Sequence, residues 1–186
     1  MTTRSPHVAR TARATDKGGF TLIELLIVVA MIAVLASIAF PLLLRARVSA
    51  NEGAAVASLR TIHSAQAAFA STCGGGGYAQ TLDDLARPAM DSTVGFVQEP
   101  YVKNGVIQSG YVANVMASSG SMKILDALDT CNGAGDTMAG FVAERHPVSV
   151  GVTGVRSFAV ETQGTLYMRH DGAAIDDSLT GGLVFK

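Results

Sequence analysis

The sequence predicts an α+β protein in which a long N-terminal helix, membrane-spanning in its first part, packs on a C-terminal antiparallel β-sheet. Three observations predict it. Twenty consecutive residues, Leu25 to Leu44, carry no charge. An apolar stripe at helical spacing continues beyond them to Phe69. After residue 100 the pattern changes to short β-branched and aromatic runs punctuated by glycine, as strands and turns require.

The chain opens on residues 1–19, which lack apolar periodicity and read as a basic leader. They hold Arg4, Arg10, Arg13 and Lys17 against Asp16 alone, leaving ten Lys/Arg and fourteen Asp/Glu in the mildly acidic remainder. Basic residues before an apolar run belong on the cytoplasmic side of a membrane. The net charge of −1, with no Lys/Arg cluster, argues against a surface for nucleic acid.

Residues 20–44 form the expected transmembrane half of the helix. Twenty uncharged residues rise about 30 Å as a helix, the thickness of a bilayer core. A cleaved secretory signal would have a shorter apolar region ending at a small-residue site. Here the run continues through Pro41 into Arg45 and Arg47. Residues 45–72 form the amphipathic half, with Val48, Ala55, Leu59, Ile62 and Phe69 recurring at spacings of three, four and seven. Asn51, Glu52, Arg60, His63 and Ser64 are assigned to its other faces. One helix of about 75 Å, Phe20 to Ser71, is the economical reading. A kink or local melting is expected at Pro41 or Gly53.

Residues 73–186 form the expected globular domain, a loop region followed by the sheet. Gly74 to Gly77 end the helix. A phosphate-binding loop is rejected because no Gly-Lys-Ser/Thr follows and no strand precedes. Thr81 caps a short turn containing Asp83 and Asp84, and Pro88 closes it. Gly110–Met116 and Gly140–Arg145 are candidate strands, and Ser157–Glu161 with Thr165–Arg169 is the best hairpin signal. One apolar sheet face is expected to meet the helix stripe. If this domain lies in an oxidising compartment, Cys73 and Cys131 are expected to pair; two separate buried thiols remain the alternative.

Lys17-Gly18-Gly19-Phe20-Thr21-Leu22-Ile23-Glu24-Leu25-Leu26 resembles the processing signal of type IV pilins and type II secretion pseudopilins. The resemblance is specific over residues 17–47 and weaker afterwards. It implies the pilin fold, cleavage by a prepilin peptidase between Gly19 and Phe20, and N-methylation of Phe20. It implies assembly roles for Glu24, Thr21 and Pro41, the last standing where such pilins place a helix-bending proline. Glu24 of one subunit would neutralise the Phe20 amine of the next in a helical homo-oligomeric filament. The implied setting is the inner membrane, single-pass with a cytoplasmic N-terminus, alongside the pilus or secretion assembly machinery. After assembly the chain would stand in a surface pilus or a periplasmic pseudopilus. The bland alternative for Glu24 is a boundary carboxylate reaching the headgroups.

Nothing in the sequence points to catalysis, a cofactor or a metal. No nucleophile motif such as Gly-x-Ser-x-Gly occurs. His63, His146 and His170 lack ligand spacing. Asp171 to Asp177 could supply carboxylates to Ca²⁺ but lacks EF-hand spacing, and a plain acidic turn is the favoured reading, as it is for Asp126, Asp129 and Asp136. A structural pilus subunit is the leading expectation and a secretion pseudopilin the alternative. A membrane-anchored binding or enzymatic domain that never polymerises is a further reading, as is a DNA receptor, against which the mildly acidic balance weighs. Cys131 has fifty-five residues after it, whereas many adhesive pilins close a disulfide near the chain end.

Overall fold

The computed structural model describes residues 19–185. The expected leader lies outside the described residues, apart from Gly19. The chain divides between Pro41 and Leu42 into two units. Helix α1 (Leu22–Thr72) begins in the first and continues into the second.

In the first unit every helical side chain is exposed. The most apolar 18-residue window has a mean hydropathy of 2.8 and none of it is buried. A soluble protein would bury such a surface. This helix is instead long and apolar enough to cross a membrane.

The local melting expected at Pro41 or Gly53 does not occur, because helical structure is uninterrupted at both. Pro41 cannot donate to the Ser37 carbonyl. That single lost bond lies between long stretches of formed helix, where propagation is favourable. Gly53 is flanked by Glu52, Ala55 and Val56, which pack into the second unit, so tertiary contacts offset its weak propensity.

In the second unit the elements after α1 are α2 (Leu82–Ala86), β1 (Val106–Gln108), β2 (Tyr111–Ala117), β3 (Lys123–Leu125), β4 (Thr137–Met138), β5 (Phe141–Pro147), β6 (Ser157–Glu161), β7 (Leu166–Arg169) and β8 (Leu183–Val184). Six strands form one antiparallel sheet in the order β1-β2-β5-β6-β7-β8. Strands β3 and β4 pair separately. The three-residue strand β1, absent from the sequence expectation, is tied to β2 by Ser109-Gly110. Both residues have positive φ, 50° and 72°, and such turns match the twist of paired strands.

Strand alternation decides the packing. Tyr111, Ala113, Val115, Phe141, Ala143, Phe158 and Val160 project from one sheet face onto Ala55, Leu59, Ile62, Ala65 and Phe69 of α1. The other face is also covered where β5 and β6 run. Val142 and Ala159 are buried there beneath Ile175, with Leu179 packed alongside. The acidic turn of the sequence reading is thus part of a covering segment. Its Asp171 pairs with Arg169 at 2.7 Å, and its Asp176 accepts from Ser178 and the Thr180 N–H. Among the described residues no group of three or more potential metal ligands occurs.

At the end of α1, Thr81 caps α2 by accepting from the Asp84 N–H at 3.1 Å. A disulfide joins Cys73, just past α1, to Cys131, with Cα atoms 4.8 Å apart.

On the outer sheet face Glu144 is buried, accepting from Asn114 at 2.6 Å and lying 3.0 Å from His146 Nδ1. The hydrogen bond to Glu144 raises the His146 pKa above its ordinary 6.5, against burial and the charge of Arg145. A raised pKa contributes stability that is complete below 6.5 and lost as pH rises through the folded value. The stability difference between wild type and His146→Gln should therefore shrink from pH 5 to pH 8. Urea unfolding across that range measures it, and a difference that grows with pH would refute the assignment.

Candidate functional site at the helix N-terminus

Gly19, Phe20, Thr21 and Glu24 lie together at the start of α1, in the first unit. Thr21 precedes the first helical residue, Leu22, and Glu24 is the third. This is capping-box spacing. The Thr21 hydroxyl accepts from the Glu24 N–H at 3.2 Å. Glu24 Oε2 reaches back to the Thr21 N–H at 3.5 Å and hydroxyl at 3.4 Å. The carboxylate is thus folded back toward the residues that precede the helix. These return contacts are long, and the group is exposed, so its accepting capacity is largely unspent.

Phe20 is 87% exposed. A Cβ built on Gly19 meets nothing within 4 Å. Among the described residues nothing crowds the backbone at Gly19, and glycine adds conformational freedom there. Leu26, Ile27, Ala30, Met31, Val34 and Leu35 form an exposed apolar strip along the helix, with Ala30 between larger side chains. Small residues between large ones allow close approach of another helix in lipid. Pro41 lies apart from the Phe20–Glu24 group, at the edge of this unit. Cys73 and Cys131 belong to the second unit.

Glu52, expected on a face of the helix other than the apolar stripe, is 7% exposed and packs inward. Its Oε1 accepts from the N–H groups of Val155 at 3.0 Å and Arg156 at 3.2 Å. Its Oε2 accepts from Arg156 Nε at 3.0 Å and also from Nη2. Gln66 is likewise buried on α1. Its side-chain amide donates to the Ala79 carbonyl at 2.7 Å and accepts from the Ala79 N–H at 2.9 Å. The signal was present: the apolar stripe skips from Val48 to Ala55 and from Ile62 to Phe69, and Glu52 and Gln66 fill those gaps. A polar residue on a buried stripe must bring its own partners.

Burial pushes the Glu52 carboxyl up, but the bonds from Arg156 and the two backbone N–H groups outweigh it and hold the pKa below 4.5. A depressed pKa contributes stability that is present above 4.5 and lost as pH falls through the folded value. Glu52→Ala should cost about 2–3 kcal/mol at pH 7, by stranding two N–H donors and half-exposed Arg156. The cost should fade in strong acid. Denaturant unfolding at pH 7 and below pH 3 measures both, and an equal cost at both would exclude the ion pair as its source.

Residues 15–40 match the prokaryotic N-terminal methylation motif, the hallmark of type IV pilins and pseudopilins. That motif supports a protein of the pilin and pseudopilin class and suggests a structural subunit. With the apolar helix, it is consistent with membrane anchoring before assembly. No curated protein and no solved structure matches the chain.

Proposed function

We propose that the chain is a structural subunit of a type IV pilus, cut between Gly19 and Phe20 by a prepilin peptidase and N-methylated on Phe20. It is held in the inner membrane by residues 20–44 until the assembly machinery moves it into a helical filament of identical subunits. In that filament it serves adhesion, motility or DNA uptake.

One observation carries this reading. A carboxylate, Glu24, stands on the first turn of a helix that is otherwise uncharged to Leu44, five positions into the chain that cleavage would leave. A membrane anchor needs the apolar run but not the acid, which costs about 2.5–3.5 kcal/mol at bilayer depth on insertion scales. Cleavage supplies the matching cation at Phe20, and methylation leaves it charged. Lateral transfer of an apolar helix from lipid to a helix bundle carries little solvation penalty.

Mass spectrometry of the protein from cells with an active prepilin peptidase tests the processing step. The expected product begins at N-methylated Phe20; a chain retaining residues 1–19 would end the assembly reading. Sheared surface fractions then test the pilus itself. Recovery of the chain there is expected. A chain confined to the periplasm, whose deletion blocks export of folded proteins, would instead be a secretion pseudopilin.

A further inference from the structure

The connection between β5 and β6 contains residues 148–155, Val-Ser-Val-Gly-Val-Thr-Gly-Val, without a charge. Val148, Val150, Val152 and Val155 are all exposed, Val152 to 71%. A contiguous exposed apolar patch marks a contact surface.

The segment is firmly held. Asn51 Nδ2 donates to the Thr153 carbonyl at 2.8 Å, and Glu52 accepts from the Val155 N–H. The Gly151 N–H donates to the Gly154 carbonyl at 2.7 Å. A Cβ on Gly154 would lie 2.0 Å from the Tyr111 hydroxyl oxygen, so glycine is required for that close approach. The loop's own hydrogen bonds turn its polar backbone inward and leave the valines outward.

Position gives the patch its partner. Gly151, Val152 and Val155 line a groove of about 310 Å³ with Leu44, Arg45 and Val48 of α1. Leu44 ends the uncharged run, and Leu42, Leu43 and Leu44 are exposed. Arg45 and Arg47 follow, both exposed and without an ion pair among the described residues. The nearby Glu52 carboxylate is committed to Arg156 and the loop backbone. Where an apolar run gives way to arginine, hydrocarbon gives way to headgroups.

The geometry points to residues 148–155 as a second membrane contact, in which Val150, Val152 and Val155 enter the headgroup–acyl boundary while Arg45 and Arg47 meet lipid phosphates. The inference rests on the membrane-anchored reading and goes beyond it. Two uncompensated guanidinium groups beside an apolar patch complement a phospholipid surface. A second copy of the chain would bring the same two cations.

The chain contains no Trp, so single tryptophans report position cleanly. The full chain is placed in bilayers of phosphatidylethanolamine and phosphatidylglycerol brominated either near the top or near the end of the acyl chains. Val152→Trp is the probe and Val150→Trp a second. Leu35→Trp reports the span. Met90→Trp reports solvent, being 93% exposed, with its backbone N–H donating to the carbonyl of Cys131, which is disulfide-linked to Cys73 at the end of α1. The expected result is blue-shifted emission from both valine variants, quenched by shallow bromines more than deep ones, with Met90→Trp unquenched. Leu35→Trp quenched while both valine variants behave like Met90→Trp would overturn the contact and leave the anchor standing. An unquenched Leu35→Trp would overturn anchor and contact together. Protection of the valine variants only in isolated filaments would assign the patch to a neighbouring subunit and likewise overturn the contact.

Discussion

Glu24→Ala should insert in the membrane and lose its leader normally, yet yield no filaments. Removing a carboxylate from an apolar helix makes insertion easier, and the scissile Gly19-Phe20 bond is untouched. What disappears is the only acid between Phe20 and Leu44. In a bundle of such helices the Phe20 amine would then be charged without a partner, where low dielectric makes that expensive. Helix capping offers a competing explanation, because Thr21 and Glu24 also form a capping box. Two further variants separate the two roles. Thr21→Ala removes the hydroxyl that caps the Glu24 N–H, costs the helix about 1 kcal/mol, and should still assemble. Glu24→Gln keeps an acceptor oxygen but not the charge and should fail as completely as Glu24→Ala. Sheared-filament yield, normalised to processed protein in the membrane, is the readout. Normal yield from Glu24→Ala would remove the ion pair from the assembly step. Failure of Thr21→Ala with success of Glu24→Gln would transfer the role to capping.

The strands legible in the sequence were those whose own composition fixes them. Tyr111–Ala117, Phe141–Pro147 and the Ser157–Arg169 hairpin are rich in β-branched and aromatic residues, and within the hairpin the short connection fixes the pairing. Strands β3, β4 and β8, two or three residues each, are too short to show an alternation or a propensity run of their own. The covering role of Ile175 was hidden for a different reason, since an acidic turn gives no hint of what Ile175 meets across the sheet. Gly19, Phe20, Thr21 and Glu24 were readable because the chain places them side by side. Glu52 and Arg156 lie 104 residues apart in sequence and come together only when the sheet packs on the helix. Arg145 is a sharper case. It is fully buried on the helix-facing side, donating to the Gln108 carbonyl at 2.9 Å and lying over the Tyr101 ring. Strand alternation sends its sequence neighbour Glu144 to the opposite face, so adjacency in sequence does not make them a pair.

Replacing both cysteines, Cys73→Ala with Cys131→Ala, should lower the unfolding free energy by about 4 kcal/mol, on the loop-entropy scale for a crosslink. The sequence separation is 58 residues, and the loop encloses α2 and strands β1 to β3. Without the bond the unfolded chain regains that loop's freedom, while the native state keeps most of its contacts. Those contacts are substantial: Phe69 packs edge-on against Phe96, and Gln66 holds Ala79 from both sides. The loss should therefore appear as a shifted denaturant midpoint with an intact fold. Reducing agent supplies the internal control. It should move wild type to the midpoint of the double variant and leave the variant unchanged. A wild-type midpoint indifferent to reductant would mean that the segment between Cys73 and Cys131 is already restrained without the bond, by α2 and the sheet. The same measurement bears on where the fold must mature. A domain of this size is stable by only about 5–15 kcal/mol, so a 4 kcal/mol staple decides whether it holds its shape. The bond forms where thiols are oxidised, so on the proposed membrane-anchored reading the fold is completed only after export.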